Sequence, residues 1–175
     1  MKIEKKETDK NDRVRTRTIT WSDPALVTKP ARTMSGLEYV KALKEGTVPP
    51  PPIRCLVDFQ MTEVEAGRVV FELMPAEYYY NPFSTVHAGI TATLLDSAMA
   101  CAVHSSLSQG VLFTTIEIKV NLIRPIREET GRLRCEGKVI HVGNRTALAE
   151  ARVTDTKGKL YAHAVSTCII SETRQ

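Results

Sequence analysis

At 175 residues and 42% apolar composition, the chain has the size of one domain with one real core. Its net charge of +4 is unevenly spread: residues 1–20 hold seven Lys/Arg and four Asp/Glu, and the rest is nearly neutral. That pattern describes a solvated basic tail and argues against a nucleic-acid face.

No apolar run approaches the roughly 18 residues a membrane helix needs, so no membrane partner is expected. No signal-peptide core follows Met1, and four early acids count against a transit peptide. Cys55, Cys101, Cys135 and Cys168 form no C-x-x-C pair. Neither a metal site nor a disulfide framework is expected, and a reduced, cytoplasmic setting fits.

Residues 1–12 are charged and lack apolar periodicity, which predicts disorder or fraying. Residues 13–21 alternate loosely and could form a short edge strand, and Ser22-Asp23-Pro24 is a turn signal. Residues 1–33 thus read as a tail with that strand. Residues 34–52 read as a short helix and a proline-rich connector: Ser35 and Glu38 make a capping box, Gly46 stops the helix, and Pro49 to Pro52 force extended chain. Residues 53–175 read as the main domain. Short strands are expected at 55–60 and 68–73, then a loop with Tyr78, Tyr79 and Tyr80, some of which line a cleft or interface. Further strands fall at 111–124, 131–142, 146–154 and 160–170, with hairpin turns at Gly143-Asn144 and Lys157-Gly158.

Between the two groups of strands lies residues 81–107, NPFSTVHAGITATLLDSAMACAVHSSL. Its opening is turn chemistry. From His87 it reads as a helix of about five turns, apolar on nearly every side, hence buried. Asp96 is the only acid or base between His87 and His104, and a carboxylate there needs partners. Gly89, Thr93, Asp96 and Ala100 follow at helical spacing, so something can approach that face closely. Ala147, Ala149, Ala151 and Val153 share a strand face that would let a helix pack tightly. The element order predicts an α+β fold: an antiparallel β-sheet wrapped around one long central helix, with an N-terminal extension.

Asn81-Pro82, Val86-His87 and Gly89, followed by a small-residue helix with Leu94-Leu95-Asp96, resemble the hotdog-fold acyl-CoA thioesterases, in the phenylacetate-degradation branch. Residues 114–125, from Thr114-Thr115 to Arg124-Pro125, are similar to the strand after the helix in that family. The resemblance covers residues 53–170.

It implies hydrolysis of an acyl-CoA thioester to a free acid and coenzyme A, with no metal or redox cofactor; coenzyme A enters only as part of substrate and product. Asp96 would be nucleophile or general base, and the Ala88 N–H at the helix start would polarise the carbonyl. The family usually has Gly-Gly after the His; here it is Ala88-Gly89, which keeps the N–H and narrows the approach. Similarly, Ser84 stands where glycine is usual. Asn81 would orient the water or the thioester, or serve only as a turn residue; His87 supports the loop; Thr115 would be a site hydroxyl or a plain strand residue. Arg124 and Arg145 could meet the nucleotide phosphates or remain ordinary surface charges.

Asp96 lies nine residues after His87, about 13 Å along one helix. Reacting atoms must sit roughly 3 Å from both carboxylate and donor. A homodimer with antiparallel helices and paired sites follows, alone or as a dimer of dimers (a homotetramer). The competing readings are a hotdog enoyl-CoA hydratase or dehydratase and a non-catalytic acyl-CoA-binding protein.

Overall fold

A computed structural model describes residues 14–172. Three short helices, α1 (Ala25–Thr33), α2 (Gly36–Glu45) and α3 (Pro52–Val57), precede strands β1 (Gln60–Glu65) and β2 (Arg68–Leu73). The long helix α4 (Ala88–His104) follows, then β3 (Val111–Leu122), β4 (Leu133–Val142), β5 (Thr146–Asp155) and β6 (Leu160–Glu172). The six strands form one antiparallel sheet in the order β1-β2-β4-β5-β6-β3. Among the described residues, no further strand pairs with its edges, β1 and β3.

The sheet curls around α4 because small residues face it. Ala147, Ala149 and Ala151 on β5, Ala162 and Ala164 on β6, and Ala98 and Ala102 on α4 are essentially inaccessible. Helix and sheet come especially close at Gly137 of β4, where an added Cβ would lie 2.3 Å from the Ala98 carbonyl. Leu94, Leu95, Met99, Val69, Phe71 and Leu133 fill the space between helix and sheet. The other face of β2 and β4 carries a charged lattice in which Arg68 and Arg134 bridge Glu63 and Glu136.

The N-terminal elements differ in part from the sequence expectation. No strand forms among residues 14–21, and the expectation for residues 1–12 lies outside the described residues. Residues 25–33 are helical despite Pro30, with the Asp23 carboxylate accepting from the Ala25 N–H at 2.9 Å. The strand expected at 55–60 does not form before Gln60: Pro52 opens α3 at the first helical position, where its fixed φ suits a helix and no donor is lost. The chain leaves α3 through Asp58, at φ 55°, and β1 then begins at Gln60.

Arg54 locks this arrangement by donating to the Leu43 and Phe59 carbonyls at 3.1 Å and to Gln60 at 2.9 Å. Helix α2 has both halves of its capping box and ends at Gly46, φ 78°. It packs on the end of α4, where Gly36 sits so close to the His104 carbonyl that a Cβ would overlap it, at 1.7 Å.

Candidate active site

The start of α4 is built by the loop before it. A single 3-10 turn, Glu77–Tyr79, places three tyrosines in sequence. Tyr79 is buried and its hydroxyl donates to the Val57 carbonyl. The Tyr80 hydroxyl accepts from the Glu128 N–H at 2.8 Å, and Tyr78 stays exposed. His87 N–H donates to the Tyr79 carbonyl at 2.8 Å, and Val86 N–H to the Ile126 carbonyl at 2.9 Å. The helix start is thereby fixed between the tyrosine turn and the segment after β3.

Asn81 organises the loop itself. Its side-chain oxygen accepts from Phe83 N–H at 2.8 Å and Thr85 N–H at 3.3 Å, and its amide nitrogen donates to the Thr85 hydroxyl at 2.9 Å. Ser84 in this loop has φ 55°, a left-handed conformation that glycine adopts without strain.

His87 caps α4. Its Nδ1 accepts from Gly89 N–H at 2.9 Å, which places the proton of the neutral ring on Nε2. The His87 carbonyl takes the N–H groups of Ile90 and Thr91. The first turn of a helix exposes four N–H donors. Here the His87 N–H meets the Tyr79 carbonyl, those of Gly89 and Ile90 are taken by His87, and among the described residues no acceptor meets the fourth, that of Ala88. It points outward at the positive end of the helix dipole.

Asp96 lies in the third turn, half-buried, on the face of α4 that also carries Gly89 and Thr93. Thr115 of β3 donates its hydroxyl to Asp96 Oδ1 at 3.1 Å. That hydroxyl also lies 3.8 Å from the Cys168 sulfur. Oδ2 has no hydrogen-bond partner among the described residues. Cys101, one turn further on, is no rival nucleophile: burial pushes its thiol up to about 12.

Two clefts flank the helix start. One, of about 630 Å³, is lined by His87, Gly89, Ile90, Thr93, the three tyrosines, and Arg17, Ile19, Ile53, Leu56 and Val57 from the N-terminal region. The other, of about 280 Å³, brings together Asn81, Ala88 and Arg124. Arg124 also donates to the Leu160 carbonyl. Arg145 is not part of either cleft. It sits in the β4–β5 hairpin, its carbonyl bonded to Ile170 N–H, and Ile170 pairs with Phe113 at the opposite end of β3 from Arg124. The N-terminal wall of the larger cleft is the feature that local sequence patterns do not signal.

Part of the inner face of β3 lies open. Ile118 and Leu122 pair with the buried Ser166 and Ala162 yet are 37% and 52% exposed. In a sheet whose inner face is otherwise covered, that is unfinished apolar surface on an unpaired edge. Among the described residues no group of three His, Cys, Asp or Glu is placed to hold a metal ion, and no helix is long and apolar enough to cross a membrane.

Comparison with known proteins bears on the family and the fold. The sequence profile described as the thioesterase superfamily matches residues 83–162. The 1,4-dihydroxy-2-naphthoyl-CoA hydrolase of Listeria monocytogenes is 25% identical over 66% of this chain and 90% of its own length. A provisionally named esterase from Archaeoglobus fulgidus is 30% identical over 64% of this chain and 70% of its own. Among solved structures, a phenylacetic acid degradation-related protein from Ralstonia eutropha superposes with a TM-score of 0.68 at 23% identity, over 75% of this chain and 98% of that one.

Proposed function

The chain belongs to the thioesterase superfamily, with the hotdog fold, and is a thioester hydrolase; on that premise we propose that it hydrolyses acyl-CoA thioesters at a site shared between two copies. The observation that carries this reading is the pairing of a half-buried Asp96, held by Thr115, with an unengaged Ala88 N–H at the start of the same helix.

The chemistry divides between these groups. The Ala88 N–H, backed by the helix dipole, stabilises negative charge on the thioester oxygen. Asp96 attacks the carbonyl carbon or takes a proton from an attacking water. Water adds, the carbon–sulfur bond breaks, and free acid and the coenzyme A thiol leave. No metal or redox group is required. Asn81 and His87 act by fixing the loop and the helix start, where the Asn81 side chain and His87 Nδ1 make their hydrogen bonds.

Donor and carboxylate are about 12 Å apart along one helix, by the rise per residue. A two-fold axis beside β3 supplies the missing proximity. It covers the open apolar face at Ile118 and Leu122 and sets two α4 helices antiparallel. The same axis exchanges the ends of β3, bringing the Arg145 end of one copy toward the Arg124 cleft of the other, where both would meet nucleotide phosphates. The CoA ester in the name of the Listeria relative supports the substrate class.

The test is thiol release from a panel of acyl-CoAs. The wild-type chain should release coenzyme A from at least one, and Asp96→Asn should lower kcat by about a thousandfold or more without loss of fold. No release from any acyl-CoA, or full activity in Asp96→Asn, would refute the reading.

A further inference from the structure

The larger cleft has a wall that the family match does not include. Residues 14–22 have no helix or strand and no ladder hydrogen bonds, yet they are tied down beside the α4 start. The Arg17 guanidinium lies 4.2 Å from the centre of the Tyr78 ring, donates to the Leu56 carbonyl at 2.9 Å and sits 3.8 Å from the Asp58 carboxylate. Arg15 reaches Glu77 at 3.2 Å. These contacts fasten the segment to α3 and to the tyrosine turn, and Ile19 projects into the cleft with Ile53 and Leu56. All of these residues precede the matched span, 83–162.

We propose that this N-terminal segment, through Ile19 and Arg17, is the specificity-determining wall of the acyl compartment, limiting it to compact apolar or aromatic acyl groups. The proposal rests on the thioesterase reading of the α4 start. A cavity of about 630 Å³ falls in the range that encloses a small ligand. Its lining is aliphatic and aromatic, and two of its tyrosine hydroxyls are already spent on backbone groups. Such a surface rewards apolar contact more than hydrogen bonding. Gly89 and His87, the neighbours of Ala88, line this cleft, while Ala88 itself lines the smaller one, so an acyl group in the larger cleft would have its carbonyl at the helix start between them. An acyl chain too long for the cleft meets Ile19 and the Arg17–Tyr78 stack and must displace them.

The experiment uses the full chain and a ladder of acyl-CoAs from butanoyl to hexadecanoyl, with benzoyl and phenylacetyl esters. The readout is the ratio of kcat/KM between long and short substrates, which cancels differences in active concentration. Ile19→Ala and Arg17→Ala should raise the long-to-short ratio by about tenfold, and Ile19→Trp should lower it by a similar factor. In parallel, free acids of the same lengths are titrated against the fluorescence of Trp21, the single tryptophan, two residues beyond Ile19, with Trp21 as the sole reporter in wild type and Ile19→Ala. Unchanged ratios in active variants overturn the proposal. If the wild-type chain hydrolyses nothing but Ile19→Ala shifts the preferred acid length, the wall stands and the hydrolase reading falls. If the wild-type chain hydrolyses nothing and the acid preference does not respond, both fall.

Discussion

Thr115 and Asp96 meet across 3.1 Å, an edge-strand hydroxyl donating to a carboxylate on the central helix. The bond fixes one carboxylate oxygen, and the other has no hydrogen-bond partner among the described residues. Thr115→Val keeps the shape of the side chain and removes the donor. A hydrogen bond to a charged group contributes about 1.5–3 kcal/mol, so kcat should fall by roughly ten- to a hundredfold, with KM little changed. Thr115→Ser should recover most of the loss. Steady-state kinetics on the best acyl-CoA of the panel checks both.

The contact of Gly137 with the Ala98 carbonyl makes a stability prediction. A Cβ at 2.3 Å from backbone cannot be relieved by a side-chain rotation. Helix and sheet would have to separate, at a cost of about 3 kcal/mol, toward the upper end for overpacked cores. Gly137→Ala should therefore lower the urea midpoint clearly, and by more than Gly158→Ala, which meets open space and carries only the strain of its left-handed φ of 77°, about 1–2 kcal/mol.

His104 predicts a pH dependence of folding. The ring is buried at the end of α4, 4.8 Å from Tyr39 and 5.4 Å from Phe113 between centroids. Burial lowers its pKa to about 4 from an ordinary 6.5. The unfolded chain therefore takes up this proton first as pH falls. The stability tied to the neutral ring is complete above about pH 6.5 and is lost progressively down to about pH 4. The full effect is about 3 kcal/mol. Urea unfolding at several pH values should show this slope in the wild type and lose it in His104→Phe.

Much of this fold could be read before the structure. The capping box of Ser35 and Glu38, the alanine face of β5 and the apolar run from Ala88 are local patterns, and each formed as expected. Asp96 stood out because it was the lone charge in that run. What was illegible depends on contacts distant in sequence. Helix α3 looked like a strand because six residues cannot show a period, and its stabilising partner, the carbonyl of Leu43, lies in another helix. Helix α1 was hidden by Pro30. Gly137 could have been noticed as a glycine inside a strand pattern, a known sign of close backbone approach. Nothing local announces that Arg17 stacks on Tyr78, whereas the turn chemistry at Asn81-Pro82 did allow for an Asn81 whose side chain bonds within its own loop.

The shared site is tested most directly by mixing two inactive chains. Asp96→Asn removes the carboxylate. Ala88→Pro removes only the N–H: the position is the first of the helix, where proline is tolerated, and His87 already has the extended backbone, φ −59° and ψ 138°, that proline demands of its predecessor. Each variant alone should be inactive. After co-refolding in equal amounts, half of the dimers are mixed, and each mixed dimer regains one of its two sites. The account predicts recovery of about one quarter of wild-type activity, by the symmetry of a two-fold pair. No recovery, with mixed dimers demonstrated by mass, would contradict it.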